Sequence, residues 1–123
     1  MATGTNDVSK DQFVKVEGLT IKSTTGTAVG GAVTVTGYAG KITSESLTTA
    51  QNATYTLTIT NTAIEATDIV TASITNGTNT QGTPMIVRVT PDSGSLVIVV
   101  KNMHESTQAL NGTVVISFVA LRA

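Results

Sequence analysis

The sequence predicts an all-β protein: an antiparallel, jelly-roll-like β-sandwich with a short N-terminal arm. Three observations carry this. Of 123 residues, 25 are Thr, 15 are Val and 9 are Ile. Side chains branched at Cβ are stiff at χ1 and suit a pleated surface better than a helix. Several segments alternate apolar and polar residues with period two, the signature of a half-buried strand. Clusters of Gly, Asn and Pro separate those segments at short intervals.

Residues 1–12 are small and polar, carry Asp7, Lys10 and Asp11, and read as an arm. Phe13, Val14 and Val16 begin the first apolar alternation around Lys15, and Gly18-Leu19-Thr20-Ile21 continues it weakly. Residues 23–31 read as a loop, with Gly26, Gly30 and Gly31 among Ser and Thr. The expected division is therefore 1–31 for the arm, first strand and Gly/Thr-rich loop, and 32–123 for the sandwich domain.

Ala32 to Thr36 alternates cleanly, Gly37 to Gly40 reads as a turn or bulge, and Lys41 to Leu47 as a weaker strand. Ala53 to Thr60 has strict period two. Tyr55, Leu57 and Ile59 share one face, and Thr54, Thr56, Thr58 and Thr60 the other. Asn61 to Thr67 fits a loop or one short helical turn. Ile69 to Thr75 is a strand closed by Asn76-Gly77, a hairpin-type signal. Met85 to Thr90 is a strand ended by Pro91-Asp92-Ser93-Gly94. Leu96 to Lys101 and Val114 to Leu121 are apolar on both faces, as central strands are, and Asn111-Gly112 is a second turn signal. Seven or eight strands on short connections fit a sandwich. The Cys and Trp markers of immunoglobulin domains are missing, and no fixed repeat supports a propeller or solenoid.

Composition narrows the function. Seven Lys and Arg stand against eight Asp and Glu, a net charge of −1, with no basic cluster for a phosphate backbone, so no nucleic-acid partner is expected. Apolar runs reach four or five residues, far below the roughly 20 that span a bilayer, so no membrane partner is expected either. The first residues lack a basic region followed by an apolar core, and synthesis in a cytoplasm is the expectation. With no Cys and one His, neither a disulfide framework nor a zinc site is expected, and no cofactor.

His104 beside Glu105 is the one imidazole–carboxylate neighbourhood. Ser95 or Ser106 is a conceivable nucleophile, but no Gly-x-Ser-x-Gly elbow supports a triad. Glu65 and Asp68 read as exposed loop acids, and Asp92 as a turn residue. An enzyme is not expected. The core itself points to partners. It is short of aromatics, which normally bury about 150–250 Å² each. A sandwich buries one face of each sheet. The second face carrying Val97 and Val99, or Val115 and Val119, therefore needs cover, from the chain's own loops or arm, or from another subunit.

Some stretches are familiar: Tyr55-Thr56-Leu57-Thr58-Ile59-Thr60-Asn61-Thr62, Ala72-Ser73-Ile74-Thr75-Asn76-Gly77-Thr78-Asn79-Thr80, Gly94-Ser95-Leu96-Val97-Ile98-Val99-Val100-Lys101-Asn102 and Ala109-Leu110-Asn111-Gly112-Thr113-Val114-Val115-Ile116-Ser117-Phe118. With Val89-Thr90-Pro91 and His104, they resemble a β-rich module of tailed-bacteriophage structural proteins, including head decoration (cement) proteins and fibre tips. The likeness covers about residues 32–121. It implies a homotrimer with a jelly-roll or related body and no catalytic residues. One compact domain behind a short arm looks more like a decoration protein on the major capsid protein, assembled in the host cytoplasm and carried on the virion surface. The alternative is a receptor-binding knob of a fibre or tail. The expected contact residues are Phe13, Val14, Val16 and Leu19 in the arm and Val97, Val99, Val115 and Val119 in the sandwich.

Overall fold

The computed structural model describes residues 22–122. Phe13, Val14, Val16 and Leu19 lie outside them. Eight strands follow in order: β1 (Thr24–Thr27), β2 (Ala32–Thr34), β3 (Ala39–Thr43), β4 (Thr54–Thr60), β5 (Ile69–Asn76), β6 (Pro84–Asp92), β7 (Ser95–Asn102) and β8 (Val114–Leu121). They form two four-stranded sheets, ordered β1-β3-β8-β5 (sheet A) and β2-β4-β7-β6 (sheet B). The expected all-β sandwich is present.

Its connectivity adds two features. Residues 24–27, read from composition as loop, form β1. The pairs β1–β3 and β2–β4 are parallel, and the other four pairs antiparallel. The cause is a zigzag. The chain passes from sheet A to sheet B and back through β1, β2, β3 and β4, so strands two apart in sequence meet side by side running the same way. These orders establish a sandwich; its jelly-roll connectivity is not established, and the parallel edges depart from an all-antiparallel pattern.

The alternation of β4 is satisfied as read. Leu57 and Ile59 are fully buried while the four threonines face out. β7 and β8, like β3 and β4, each lie between two neighbours, and the inner residues Leu96, Ile98, Val100, Val114, Ile116 and Phe118 of β7 and β8 fill much of the core. Tyr55 packs against that core, and its hydroxyl donates to Glu45 Oε1 at 2.7 Å. Burial of the phenol raises its pKa above the ordinary 10.0, and the hydrogen bond to Glu45 and its negative charge raise it further. Folding therefore favours the protonated ring. That contribution is present in full below pH 10 and is lost as pH rises above it. Urea unfolding at about pH 8 and about pH 11 is expected to show a steeper alkaline loss of stability in the wild type than in Tyr55→Phe.

The two Asn-Gly pairs do not make hairpins. Asn76-Gly77 leaves sheet A for β6, and Asn111-Gly112 leaves sheet B for β8. The crossings lie against each other. Thr78 N donates to Thr113 Oγ1 and Thr113 N to Thr78 Oγ1, both at 2.9 Å. Gly77 N and Asn79 N both donate to Thr113 O, at 2.9 and 3.0 Å. A Cβ on Gly77 would sit 2.3 Å from Thr113 Oγ1, and one on Gly112 2.6 Å from Thr78 Oγ1. Glycine is needed here for close approach. The two-residue hairpin is Ser93-Gly94 between β6 and β7, with Gly94 at φ 79°.

Buried asparagines hold the other loops. Asn61 Nδ2 donates to Gly37 O at 2.8 Å, and its Oδ1 accepts from Ala63 N at 3.0 Å. Asn79 Nδ2 donates to Gln81 O at 2.8 Å while its Oδ1 accepts from Asn111 N at 2.8 Å. Asp68, read as exposed, has a fully buried side chain. Arg122 covers it, with Nε 2.9 Å from Asp68 Oδ1, and also binds the Glu65 carboxylate and Ala63 O. The burial is tolerable because the charge is paired.

Candidate interaction surfaces

The sandwich presents two outer faces, and the four predicted valines divide between them. On sheet B the cross-strand rows run Thr56–Val99–Arg88 and Ala32–Thr58–Val97–Thr90, bounded by Thr54–Lys101–Met85 at one end and Thr60–Ser95–Asp92 at the other. On sheet A they run Thr43–Val115–Thr75, Lys41–Ser117–Ser73 and Ala39–Val119–Thr71, ending at Leu121–Ile69. All four valines are half-buried. The described residues leave their outward faces uncovered, while the same strands' inner faces are sealed. The two pairs lie on opposite sides of a body whose sheets are about 10 Å apart, so one flat partner cannot cover both.

Sheet B carries a group of exposed apolar side chains. Met85 is 50%, Val87 51% and Met103 45% exposed. Val87 and Met103, with Val99 and the exposed side of β4, border a shallow depression that also takes in Arg88 and Lys101, and Met85 pairs with Lys101 at its edge. Met85, Val87 and Met103 escaped the sequence reading. The register shifts between Ile86 and Arg88, so Val87 and Arg88 both face out where strict alternation would send one inward. Nothing in Ile86-Val87-Arg88-Val89 marks that bulge, because it depends on the partner strand. Sheet B thus offers an apolar patch with two cations and uncharged threonines beside it. The sheet A face has Lys41 as its one charged residue among the described residues.

Of the chemical candidates, Ser106 lies two residues from His104, and Ser95 is distant. His104 sits just past the end of β7, with Nδ1 3.1 Å from Thr83 Oγ1 and its carbonyl accepting from Gln51 Nε2. Ser95 begins β7 at the opposite end, roughly 25–30 Å away along an extended strand, so the two cannot form one site. Asp92 accepts from Ser93 N at 2.7 Å, a turn role. Glu65 and Asp68 are engaged by Arg122. Among the described residues no three His, Cys, Asp or Glu side chains are grouped to hold a metal ion. No helix among them is long and apolar enough to cross a membrane. No protein-family model, curated protein or solved structure matches the chain.

Proposed function

We propose that the protein is a capsid decoration (cement) protein of tailed-phage type, a homotrimer that binds the assembled head and stabilises it. The observation that carries this reading is the outer face of sheet B. Val97 and Val99, extended by Met85, Val87 and Met103, make an apolar patch on a rigid sheet, beside threonines and two cations. Apolar surface of this kind, bordered by polar groups, marks an interaction site. The resemblance of the strand and turn patterns to phage structural proteins supplies the partner, the major capsid protein. The mechanism is thermodynamic. A protein that binds the assembled shell and not its free subunits stabilises the shell by mass action. Repetition over a symmetric lattice adds avidity.

Particles assembled without the protein are expected to lose their genome or shell integrity at lower temperature than complete ones. Equal heat resistance would refute the reading. Val99→Glu is expected to weaken binding to empty shells by about tenfold or more, since a patch-centre residue carries much of the binding energy. The same change should lower unfolding stability by only about 1 kcal/mol, because Val99 is half-buried on the outer face of an inner strand. Gel densitometry of purified particles separates the receptor-binding knob: a cement protein is present in hundreds of copies, a knob in few.

A further inference from the structure

The four edge strands among the described residues are not alike. β1 and β2 are four and three residues long. β6 is longer, but it starts at Pro84, carries Arg88 and Pro91, and bulges between Ile86 and Arg88. Short length, proline, charge and bulges each keep an edge from pairing. β5 has none of them. Its eight residues are uncharged and free of proline, and they pair with β8 in unbroken register. β8 is its one strand neighbour among the described residues, so about half of its backbone groups point away from the sheet. The side chains show the same opening. The inner residues of β8 are no more than 4% exposed, whereas Val70, Ala72 and Ile74 of β5 and Ile86 and Val89 of β6 are half-buried. β5 and β6 flank one side of the sandwich, and along it runs a seam with open backbone and partly covered apolar side chains.

We propose that this seam receives residues 13–21 of a second copy of the chain, added as a strand to the edge of β5. The segment Phe13-Val14-Lys15-Val16-Glu17-Gly18-Leu19-Thr20-Ile21 has nine residues against the eight of β5. Five of them are apolar, with Phe13, Leu19 and Ile21 at positions of one parity and Val14 and Val16 at the other. The segment's attachment point selects another copy as acceptor. It leads through Lys22 into β1, and β1 is the opposite edge of sheet A, three strand spacings from β5. That separation is about 14 Å. With residues 13–21 in the ladder, Ile21 to Thr24 spans about 11 Å at full stretch, too short to reach its own β5. A donor at one edge and an acceptor at the other is satisfied either by reciprocal exchange between two copies or head to tail around a closed ring. Main-chain hydrogen bonds supply the affinity and the apolar side chains the register. This contact does not depend on the capsid reading.

The test uses the full chain with Val14→Pro and Val16→Pro together, which remove two backbone donors from the segment. Sedimentation equilibrium gives the mass and hydrogen exchange the state of β5. The unaltered chain is expected to be a closed oligomer with protected β5 amides. The variant is expected to be a folded monomer whose alternate β5 amides exchange about tenfold or more faster. A peptide of residues 12–22 is expected to restore their protection. A monomeric unaltered chain overturns the proposal, as does a variant with unchanged mass and exchange. A variant that loses its folded circular dichroism overturns it too, since the segment would then belong to its own chain's core.

Discussion

Phe118→Ala is expected to lower the unfolding free energy by about 3–5 kcal/mol, read from urea denaturation. Phe118 is 2% exposed and is the one fully enclosed aromatic among the described residues. The rest of the core is Val, Ile, Leu and Ala. The strand opposite Phe118 has already adapted to it. Gly40 is the direct cross-strand partner of Phe118, and a Cβ there would lie 2.5 Å from Phe118 Cε1 and 2.7 Å from Cζ. Gly40→Ala should therefore destabilise by overpacking, about 1–3 kcal/mol. In Phe118→Leu the added methyl group should cost less, so the two changes combine non-additively. Against a typical total of about 5–15 kcal/mol, the Phe118→Ala loss is a large share.

Asn102→Ala is the second large effect expected, about 2–4 kcal/mol by the same measurement. The side chain is fully buried at the end of β7. Its Nδ2 donates to Thr49 O at 3.1 Å and to Gln108 O at 2.8 Å. Its Oδ1 accepts from Thr83 N at 3.0 Å and His104 N at 3.2 Å. One amide therefore ties together the chain before β4, the chain entering β6 and the connection from β7 to β8. Removing it leaves buried backbone groups without partners. Asn102→Asp keeps the shape but replaces two donors by a charge facing two carbonyls, and should be worse than Ala. If Asn102→Asp proves as stable as wild type, the amide network is not what holds these loops.

The fold class was legible in local pattern because period-two alternation fixes which side chains share a face. Leu57 and Ile59 inward and four threonines outward could be read from eight consecutive residues. Central placement of β7 and β8 was legible too, since a run apolar on both faces suits an inner strand. Other features were not. Thr24–Thr27 has no apolar residue to mark it as a strand; it exists because β3 offers it an edge. The Asn-Gly pairs carried a correct turn signal attached to the wrong connection, because sequence does not say which sheet the chain enters next. Asp68 looked exposed because its partner, Arg122, lies 54 residues away in sequence (122 − 68 = 54). Of the candidate surface, Val97 and Val99 were visible as surplus apolar residues, while Val87 depended on a bulge set by β7.

By itself, then, the sequence determined a β-sandwich with threonine-faced strands, a thin aliphatic core and more outward valine than a sealed domain needs. Those are consequences of side-chain branching and of the two-residue repeat of an extended chain, and both act between near neighbours. Only the tertiary structure decided which strands pair, that two edges run parallel, that the valines divide between opposite faces, and that β5 is the unguarded edge. Each depends on partners distant along the chain, chosen by packing two sheets over one core, and no local period records that choice.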